Sequence, residues 1–252
     1  MIADVPLSPD GQFCGGSMVL DTWVLTAAHC ANMEREDGTW AGLAPDVIRV
    51  LVGTNTLAPG KGDIALIRSA RRPTAAYATV QIPDAAFGDM LDQPGVVTTV
   101  AGWGLTEGGT QTDAMHQAEI QVMDRDLCNA ALPDSRAEVA GQAFGQAVTV
   151  FGVKDADAYA LRDQLLARAP PPMSGNFPCS GTCEGGKTAC SGDSGGPLAV
   201  ALEDGSSIQA GVVSGGLSGA GGKGCDEAAP FSAYTRVSKF LPWLQATMAA
   251  NP

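Results

Sequence analysis

The sequence predicts an all-β protein made of two β units, and three observations support this prediction. The 252 residues include 32 glycines and 16 prolines, a turn-rich composition that favours many short strands over long helices. Short β-prone runs recur in both halves of the chain between Gly, Pro, Asn and Asp residues. A segment with two prolines, Arg72 to Gln93, separates the two sets of runs and is predicted to be a crossing linker.

The predicted strands fall into two groups, one on each side of the linker. The first group comprises 17–20, 23–25, 47–52 and 64–67, and the second comprises 96–101, 116–122, 197–202, 207–213 and 232–236. We therefore divide the chain into an N-terminal unit, residues 1–88, and a C-terminal unit, residues 89–252.

Two segments show helical rather than strand spacing. Between Cys128 and Cys179, apolar residues at helical spacing predict an inserted helical lobe over about 129–178; they are Ala158, Leu161, Leu165 and Ala169. A further helix is expected near 135–148, although Gly141 and Gly145 weaken it. At the C-terminus, a helix over about 237–249 is predicted from Val237, Leu241, Leu244 and Met248.

Charge and cysteine content narrow the class of protein. With 15 basic and 27 acidic residues, the net charge of −12 disfavours binding to nucleic acid or anionic lipid. No apolar run reaches the 18 residues of a membrane span. Seven cysteines without paired CxxC elements indicate disulfides and hence a secreted protein, extracellular or periplasmic, with an odd cysteine left over.

Three motifs carry the candidate chemistry, and each supplies one reactive residue type. They are Thr26-Ala27-Ala28-His29-Cys30, Gly62-Asp63-Ile64-Ala65-Leu66 and Gly192-Asp193-Ser194-Gly195-Gly196-Pro197-Leu198. A serine hydroxyl needs a base to take its proton as it attacks a carbonyl, and imidazole has a suitable pKa. The imidazole in turn needs a carboxylate that fixes its tautomer and stabilises its protonated form.

Together these motifs resemble the chymotrypsin-like (trypsin-fold) serine peptidases. Further similar motifs, at 13–17, 101–104, 211–214 and 234–237, extend the resemblance over most of the chain except the inserted lobe and the start. The resemblance implies two antiparallel six-stranded-type β-barrels with the active site between them. It assigns His29 as the base, Asp63 as its carboxylate partner and Ser194 as the nucleophile, and it implies an oxyanion hole formed by the N–H groups of Gly192 and Ser194.

The resemblance also proposes the residues that bind substrate. It places Thr188 at the bottom of the primary specificity pocket, with Ser214, Gly216 and Ser232 around it. Because a neutral residue replaces the carboxylate that would pair with Lys or Arg, we expect cleavage after apolar or aromatic residues, with small residues as the second choice. Nearby Glu184, Asp226 and Glu227 leave mixed specificity open.

The resemblance pairs six of the seven cysteines: Cys14 with Cys30, Cys128 with Cys179, and Cys190 with Cys225. Cys183 is left over. In this family the Asp before the nucleophile, here Asp193, pairs with an Ile-Val-Gly-Gly-type N-terminal amine in the activation pocket. The 13 residues before Cys14 contain no such segment, so the first strand of the N-terminal barrel is expected to be incomplete.

The sequence therefore predicts a serine endopeptidase that works through an acyl-enzyme without a cofactor or a metal. The expected partners are polypeptide substrates and protein inhibitors, and the sequence does not determine the oligomeric state. The alternative is a catalytically impaired, zymogen-like binding protein on the same fold. His116, which lies in a predicted strand outside the motifs, receives no role.

Overall fold

In a computed structural model of the chain, the β-prone runs of both halves pair into antiparallel sheets. The described residues are 2–3, 13–34, 40–42, 48–49, 56–59, 63–69, 72–74, 76–106, 109–110, 114–131, 148, 150–168, 173–182, 185–216 and 231–251. Among them, no helix combines the length and the apolar character needed to cross a membrane.

The N-terminal half is built around one four-stranded sheet in the order β2-β3-β8-β7. Two further pairs, β1 with β6 and β4 with β5, complete its described strands. The strands are β1 (Ile2–Ala3), β2 (Ser17–Leu20), β3 (Trp23–Thr26), β4 (Asn32–Glu34), β5 (Trp40–Gly42), β6 (Ile48–Arg49), β7 (Thr56–Pro59) and β8 (Ala65–Arg68). These strands do not close into a ring within the described residues, so an N-terminal barrel stays a prediction.

The C-terminal half forms a closed six-stranded barrel in the order β10-β11-β14-β13-β12-β9. Its strands are β9 (Val97–Gly102), β10 (His116–Val122), β11 (Cys179–Gly181), β12 (Pro197–Ala201), β13 (Ser207–Gly216) and β14 (Phe231–Arg236). One cluster of buried side chains fills part of its interior: Val100, Ile120, Ala189, Leu198, Val213 and Tyr234. The predicted C-terminal barrel is confirmed.

The predicted linker contains a short helix that the sequence prediction missed. Helix α1 spans Ala85–Leu91, and the Asp84 side chain caps its first turn by accepting a hydrogen bond from Phe87 N at 2.8 Å. An acidic cap directly after Pro83 is a helix-start signal. Seven residues are too few to show a clear helical period, which is why the linker prediction overlooked it.

The segment between Cys128 and Cys179 contains helix α2 (Asp155–Arg168). The two ends of this segment meet, because a disulfide joins Cys128 to Cys179. The Asn129 side chain adds two hydrogen bonds to Met173: Oδ1 accepts from Met173 N at 2.8 Å, and Nδ2 donates to Met173 O at 3.2 Å. The helix agrees with the predicted spacing, and one residue of its apolar face, Leu161, is 45% exposed. The helix expected at 135–148 lies almost wholly outside the described residues.

The C-terminal helix connects the two halves. A 3₁₀ turn (Val237–Phe240) leads into helix α3 (Leu241–Ala250), close to the predicted 237–249. The fully buried side chains of Val237 and Leu244 belong to the same apolar cluster as Trp23 and Leu25 of β3. The apolar spacing of this helix therefore reports its packing against the N-terminal sheet.

Buried charges anchor the end of β14 beside α1. The Arg236 side chain, 6% exposed, bonds to Asp92 Oδ2 through Nη1 at 2.9 Å and to Asp89 Oδ1 through Nη2. Arg125 Nη2 bonds to the same Asp92 oxygen at 2.7 Å. Burial raises the pKa of Asp92 even though the two guanidinium groups oppose the shift, so this carboxylate is held in the interior at a desolvation cost.

We expect Asp92→Asn to lower the free energy of unfolding by about 3 kcal/mol, because it leaves the Arg236 charge buried and short of a partner. Arg72→Ala is the matched control, since Arg72 pairs with Asp21 at the surface, where the side chains are 73% and 50% exposed. That change should cost less than about 1 kcal/mol. Urea denaturation measures both, and equal effects of the two substitutions would contradict a structural role for the buried pair.

Candidate active site

The His29 side chain stands on a short turn directly after β3. Residues His29–Ala31 form a 3₁₀ turn in which Cys30 is fully buried and bonded to Cys14. The side-chain amide of Asn32 donates through Nδ2 to Ala28 O at 2.6 Å and closes the turn. The disulfide and the closed turn fix the backbone of His29, while its side chain remains 36% exposed.

A carboxylate holds the inner nitrogen of this imidazole. His29 Nδ1 lies 2.7 Å from Asp63 Oδ2, and the backbone N of His29 donates to Asp63 Oδ1 at 2.9 Å. Because an ionised carboxylate can only accept, we assign the proton to Nδ1. Nε2 then carries the free lone pair, which is the tautomer that a general base requires.

Two further hydroxyl groups fix Asp63 from the C-terminal barrel. Ser214 Oγ donates to Asp63 Oδ2 at 2.6 Å, and Thr235 Oγ1 donates to Asp63 O at 2.8 Å. Burial by itself would raise the pKa of Asp63, but hydrogen bonds from His29 and Ser214 outweigh it and the pKa is lowered. The carboxylate therefore stays ionised at neutral pH beside the imidazole.

The loop that carries Ser194 requires its glycines. Gly192 and Gly195 have φ values of +98° and +81°, a region that other residues rarely adopt. A methyl group on Gly195 would also overlap Oγ1 of Thr26, and one on Gly15 would lie 2.9 Å from the Gly196 Cα. The glycines of both motifs therefore permit a close approach between the Cys-Gly-Gly segment and the nucleophile loop.

Backbone hydrogen bonds tie the serine loop to the Cys-Gly-Gly segment and to β13. Gly15 N donates to Ser194 O at 2.6 Å, and Gly195 N donates to Val213 O at 2.8 Å. Val213 directly precedes Ser214, whose hydroxyl holds Asp63. Hydrogen bonds thus link His29 to Asp63 and Asp63 to Ser214. The loop that carries Ser194 is tied to the same strand, β13, through the backbone bond of Gly195.

The residues assigned to the specificity pocket also lie together. Thr188 Oγ1 is hydrogen-bonded to Ser232 Oγ, which also accepts from Ala189 N at 3.1 Å. Ser232 pairs with Gly216 across β13 and β14, and a methyl group on Gly216 would lie 3.7 Å from Ser232 Oγ. The fully buried Ser232 hydroxyl therefore ties the 188–190 segment to the end of β14.

The Asp193 carboxylate lies against Gly102, at the end of β9. Its Oδ1 accepts from Gly104 N at 2.8 Å and its Oδ2 from Cys190 N at 2.9 Å. A methyl group on Gly102 would overlap this carboxylate, which explains the glycine there. Burial raises the pKa of Asp193, opposed by these two backbone bonds and by the charge of His116.

The cysteine pairs expected on either side of the site can be compared with the described residues. Cys14–Cys30 and Cys128–Cys179 are both disulfides. Cys190 is also disulfide-bonded, while its expected partner Cys225 and the leftover Cys183 lie outside the described residues. The sulfurs of Cys14 and Cys30 gather near His29 in the arrangement of a metal site, but sulfurs bonded to each other are poor ligands for a metal ion.

Sequence reasoning missed three contributors to this site. It quoted Thr235 and Gly104 within motifs but gave neither a role, although one binds Asp63 and the other Asp193. It set His116 aside, yet His116 and Asp193 line the same cavity. The pairing of β10 with β9 places His116 opposite Gly102, the residue that lies against Asp193, and local sequence patterns do not reveal this pairing.

The sequence was also compared with models of known protein families. It matches the family model described as Trypsin over residues 3–244, which is most of the chain. The closed C-terminal barrel and the C-terminal helix agree with this match. The chain therefore belongs to the trypsin family of chymotrypsin-like serine peptidases.

Proposed function

We propose that this protein is a serine endopeptidase in which Ser194 is the nucleophile, His29 the general base and Asp63 the group that orients and stabilises the imidazole. The observation that carries the proposal is the hydrogen-bonded series Ser214–Asp63–His29, in which one carboxylate oxygen accepts from both a hydroxyl and the imidazole. A histidine with a purely structural role would not need this shared carboxylate oxygen next to a glycine-rich loop that carries a serine.

The reaction follows from these roles. Ser194 Oγ attacks the carbonyl carbon of the peptide bond while His29 Nε2 takes the hydroxyl proton, and the carbonyl electrons move onto oxygen. Collapse of this tetrahedral intermediate breaks the C–N bond, and His29 returns its proton to the leaving amine. Water then repeats the sequence on the acyl-enzyme and regenerates Ser194.

The N–H groups of Gly192 and Ser194 are proposed to stabilise the negative oxygen of the intermediate. Removing such a donor typically costs about 3 kcal/mol of transition-state stabilisation. Asp193 lies between these two residues in sequence, and its bonds to Gly104 N and Cys190 N hold the loop that presents them. Because the loop that presents these N–H groups is anchored, we favour an active peptidase over a catalytically impaired binding protein on the same fold.

The Thr188–Ser232 hydroxyl pair supports a neutral and shallow specificity pocket. Ser232 is fully buried and hydrogen-bonded, so its side chain occupies volume that glycine would leave open. A buried Lys or Arg would find no carboxylate at Thr188. We therefore propose cleavage after small apolar residues first and after aromatic residues second, the reverse of the order expected from the sequence for a pocket formed by Thr188, Gly216 and Ser232.

We compare kcat/KM for peptides with Phe before the scissile bond with kcat/KM for peptides with Ala there. Ser232→Gly should raise this Phe-to-Ala ratio by about tenfold, because it deepens the pocket. Thr188→Val is the matched control: it breaks the hydroxyl pair but retains the volume, so the Phe-to-Ala ratio should stay low. Parallel kinetics on peptides that differ at this one position measure the ratios. A preference for Phe already present in the unsubstituted protein would refute the shallow pocket.

The endopeptidase proposal is tested with a library of unstructured peptides. Mass spectrometry of the products should show cleavage at internal bonds, with Ala or Val enriched before the cut. Removal of terminal residues alone, or an intact library, would contradict the proposal. The proposed partners are polypeptide substrates and protein inhibitors, and the disulfides support a secreted protein.

A further inference from the structure

The inserted lobe carries an exposed connection between two helical segments. Helical residues end at Phe151 and helix α2 begins at Asp155, so residues 152–154 form the connection, and all three are exposed. Val150 and Phe151, just before it, are 78% and 79% exposed, the highest values among the large apolar side chains in the described part of the chain. The motifs that resemble the peptidase family do not extend to this lobe and do not account for the exposed connection.

The backbone of this connection is held by the bonds of two helix ends. Val153 N donates to Val148 O at 3.0 Å across Gly152, whose φ is +61°, the pattern in which a glycine terminates a helix. Helix α2 then starts with the bond from Ala158 N to Lys154 O at 2.9 Å. Opening the connection breaks such end-of-helix bonds and displaces side chains that are already exposed. Exposed tips of this kind are preferred sites of proteolysis.

One peptide bond of the connection fits the proposed specificity pocket. Val153 is the apolar residue of 152–154, and the Thr188–Ser232 hydroxyl pair supports a neutral, shallow pocket that accepts such a side chain and rejects a charge. Lys154 follows the bond and gives residues 150–154 a positive charge, whereas the whole chain carries −12. The charge of this segment therefore favours the approach of a second, acidic copy of the chain.

Resting on the proposed function, we propose that the Val153–Lys154 bond is a processing site that a second copy of this protein cleaves. Ser194 Oγ of the second copy attacks the carbonyl carbon of Val153, the C–N bond breaks, and the leaving nitrogen of Lys154 takes a proton from the imidazole. Water then hydrolyses the acyl-enzyme. Val153 ends as a carboxylate and Lys154 as a free amine.

The product of this cleavage is a two-chain protein. Cys128 lies before the cut and Cys179 after it, so their disulfide joins the two chains. Strand pairing holds them as well, because β10 and β9 of the first chain pair with β11 and β12 of the second. His29 and Asp63 belong to one chain and Ser194 to the other. Because the barrel keeps its strand pairs, we expect the cleaved protein to retain its peptidase activity.

The test uses Ser194→Ala as an inert substrate for the wild-type protein. Alone, this variant should stay intact; with a trace of wild type it should gain the mass of one water molecule, and reduction should then release fragments 1–153 and 154–252. The initial rate should rise in proportion to the added wild type. Cleavage of Ser194→Ala without wild type, or fragments that end at other residues, would overturn the proposal. So would wild-type cleavage whose rate per molecule is independent of protein concentration, because that points to cleavage within one copy.

Two further substitutions in the Ser194→Ala substrate test the assigned bond. Val153→Ala keeps a small apolar side chain, so its cleavage rate should stay within about tenfold of the parent. Val153→Glu would bring a carboxylate into a neutral pocket and should slow cleavage by at least about a hundredfold. Both changes lie at an exposed position, and circular dichroism should show an unchanged fold. Equal cleavage rates for the two variants would overturn the assignment of this bond.

A synthetic peptide of residues 148–159 separates failure of this inference from failure of the proposed function, because it presents the same bond without the folded lobe. If wild type cleaves the peptide after Val153 but leaves folded Ser194→Ala intact, the processing site is overturned while the peptidase proposal stands. If wild type cleaves the library of unstructured peptides but not this peptide, the bond is rejected and the inference is again overturned alone. If wild type cleaves neither, the peptidase proposal fails and the inference fails with it.

Discussion

Ser194→Ala should reduce kcat for peptide hydrolysis by roughly 10⁶-fold, to the residual rate that binding and the oxyanion hole alone provide. The substitution removes the only atom of the proposed site that forms a bond to substrate carbon. The backbone bonds of the loop, from Gly15 N to Ser194 O and from Gly195 N to Val213 O, do not involve the hydroxyl. The folded structure should therefore survive, which circular dichroism would check.

Ser191→Ala is the matched control for this substitution. Ser191 lies three residues before the proposed nucleophile in the same loop and is exposed. Its backbone oxygen accepts from Leu105 N at 2.9 Å, a bond that the substitution leaves intact. Activity should therefore remain near the wild-type value. Equal losses in the two variants would contradict the assignment of Ser194 as the nucleophile.

Asp63→Asn should lower kcat by about 10⁴-fold with little change in KM. The amide oxygen would take the Oδ1 position, which accepts from the backbone N–H of His29, so its N–H groups would take the Oδ2 position and face His29 Nδ1 and Ser214 Oγ. The imidazole would then favour the tautomer with its proton on Nε2, where it cannot accept the proton of the serine. Steady-state kinetics at neutral pH measure the effect.

A graded control for Asp63 is available in Ser214→Ala. That change removes one hydrogen bond to the carboxylate but leaves both bonds from His29, so we expect a loss of only about tenfold in kcat. If Asp63→Asn were no more harmful than Ser214→Ala, the carboxylate would not be setting the tautomer of His29, and its assignment would be wrong.

The motifs predict which residues form the candidate site because each residue type is tied to one chemical task. A base, a carboxylate and a hydroxyl in glycine-rich context are recognisable one at a time. Their contacts are not, because His29 and Asp63 are 34 residues apart in sequence and Asp63 and Ser214 are 151 apart. The bonds from Ser214 and Thr235 depend on how β13 and β14 lie against Asp63, which local sequence patterns do not encode.

The fold shows the same division between local and non-local information. Alternating apolar runs predict β10 at its observed bounds, Val122 included, because one face of that strand is buried in the barrel. Helix α1 escaped prediction because its seven residues carry too little periodicity, and only the Asp84 cap marks it. The apolar spacing of α2 predicts its helical state but not its exposure, because a helix can be periodic without having a surface to pack against.

The most direct test of the central claim is intact-mass analysis of the 252-residue chain after reaction with a phosphonate serine-hydrolase probe, followed by peptide mapping of the adduct. The account predicts one adduct per chain, located on Ser194 and absent from Ser194→Ala. A folded chain that forms no adduct, or an adduct that persists in Ser194→Ala, would contradict the assignment of this site as a serine peptidase active site.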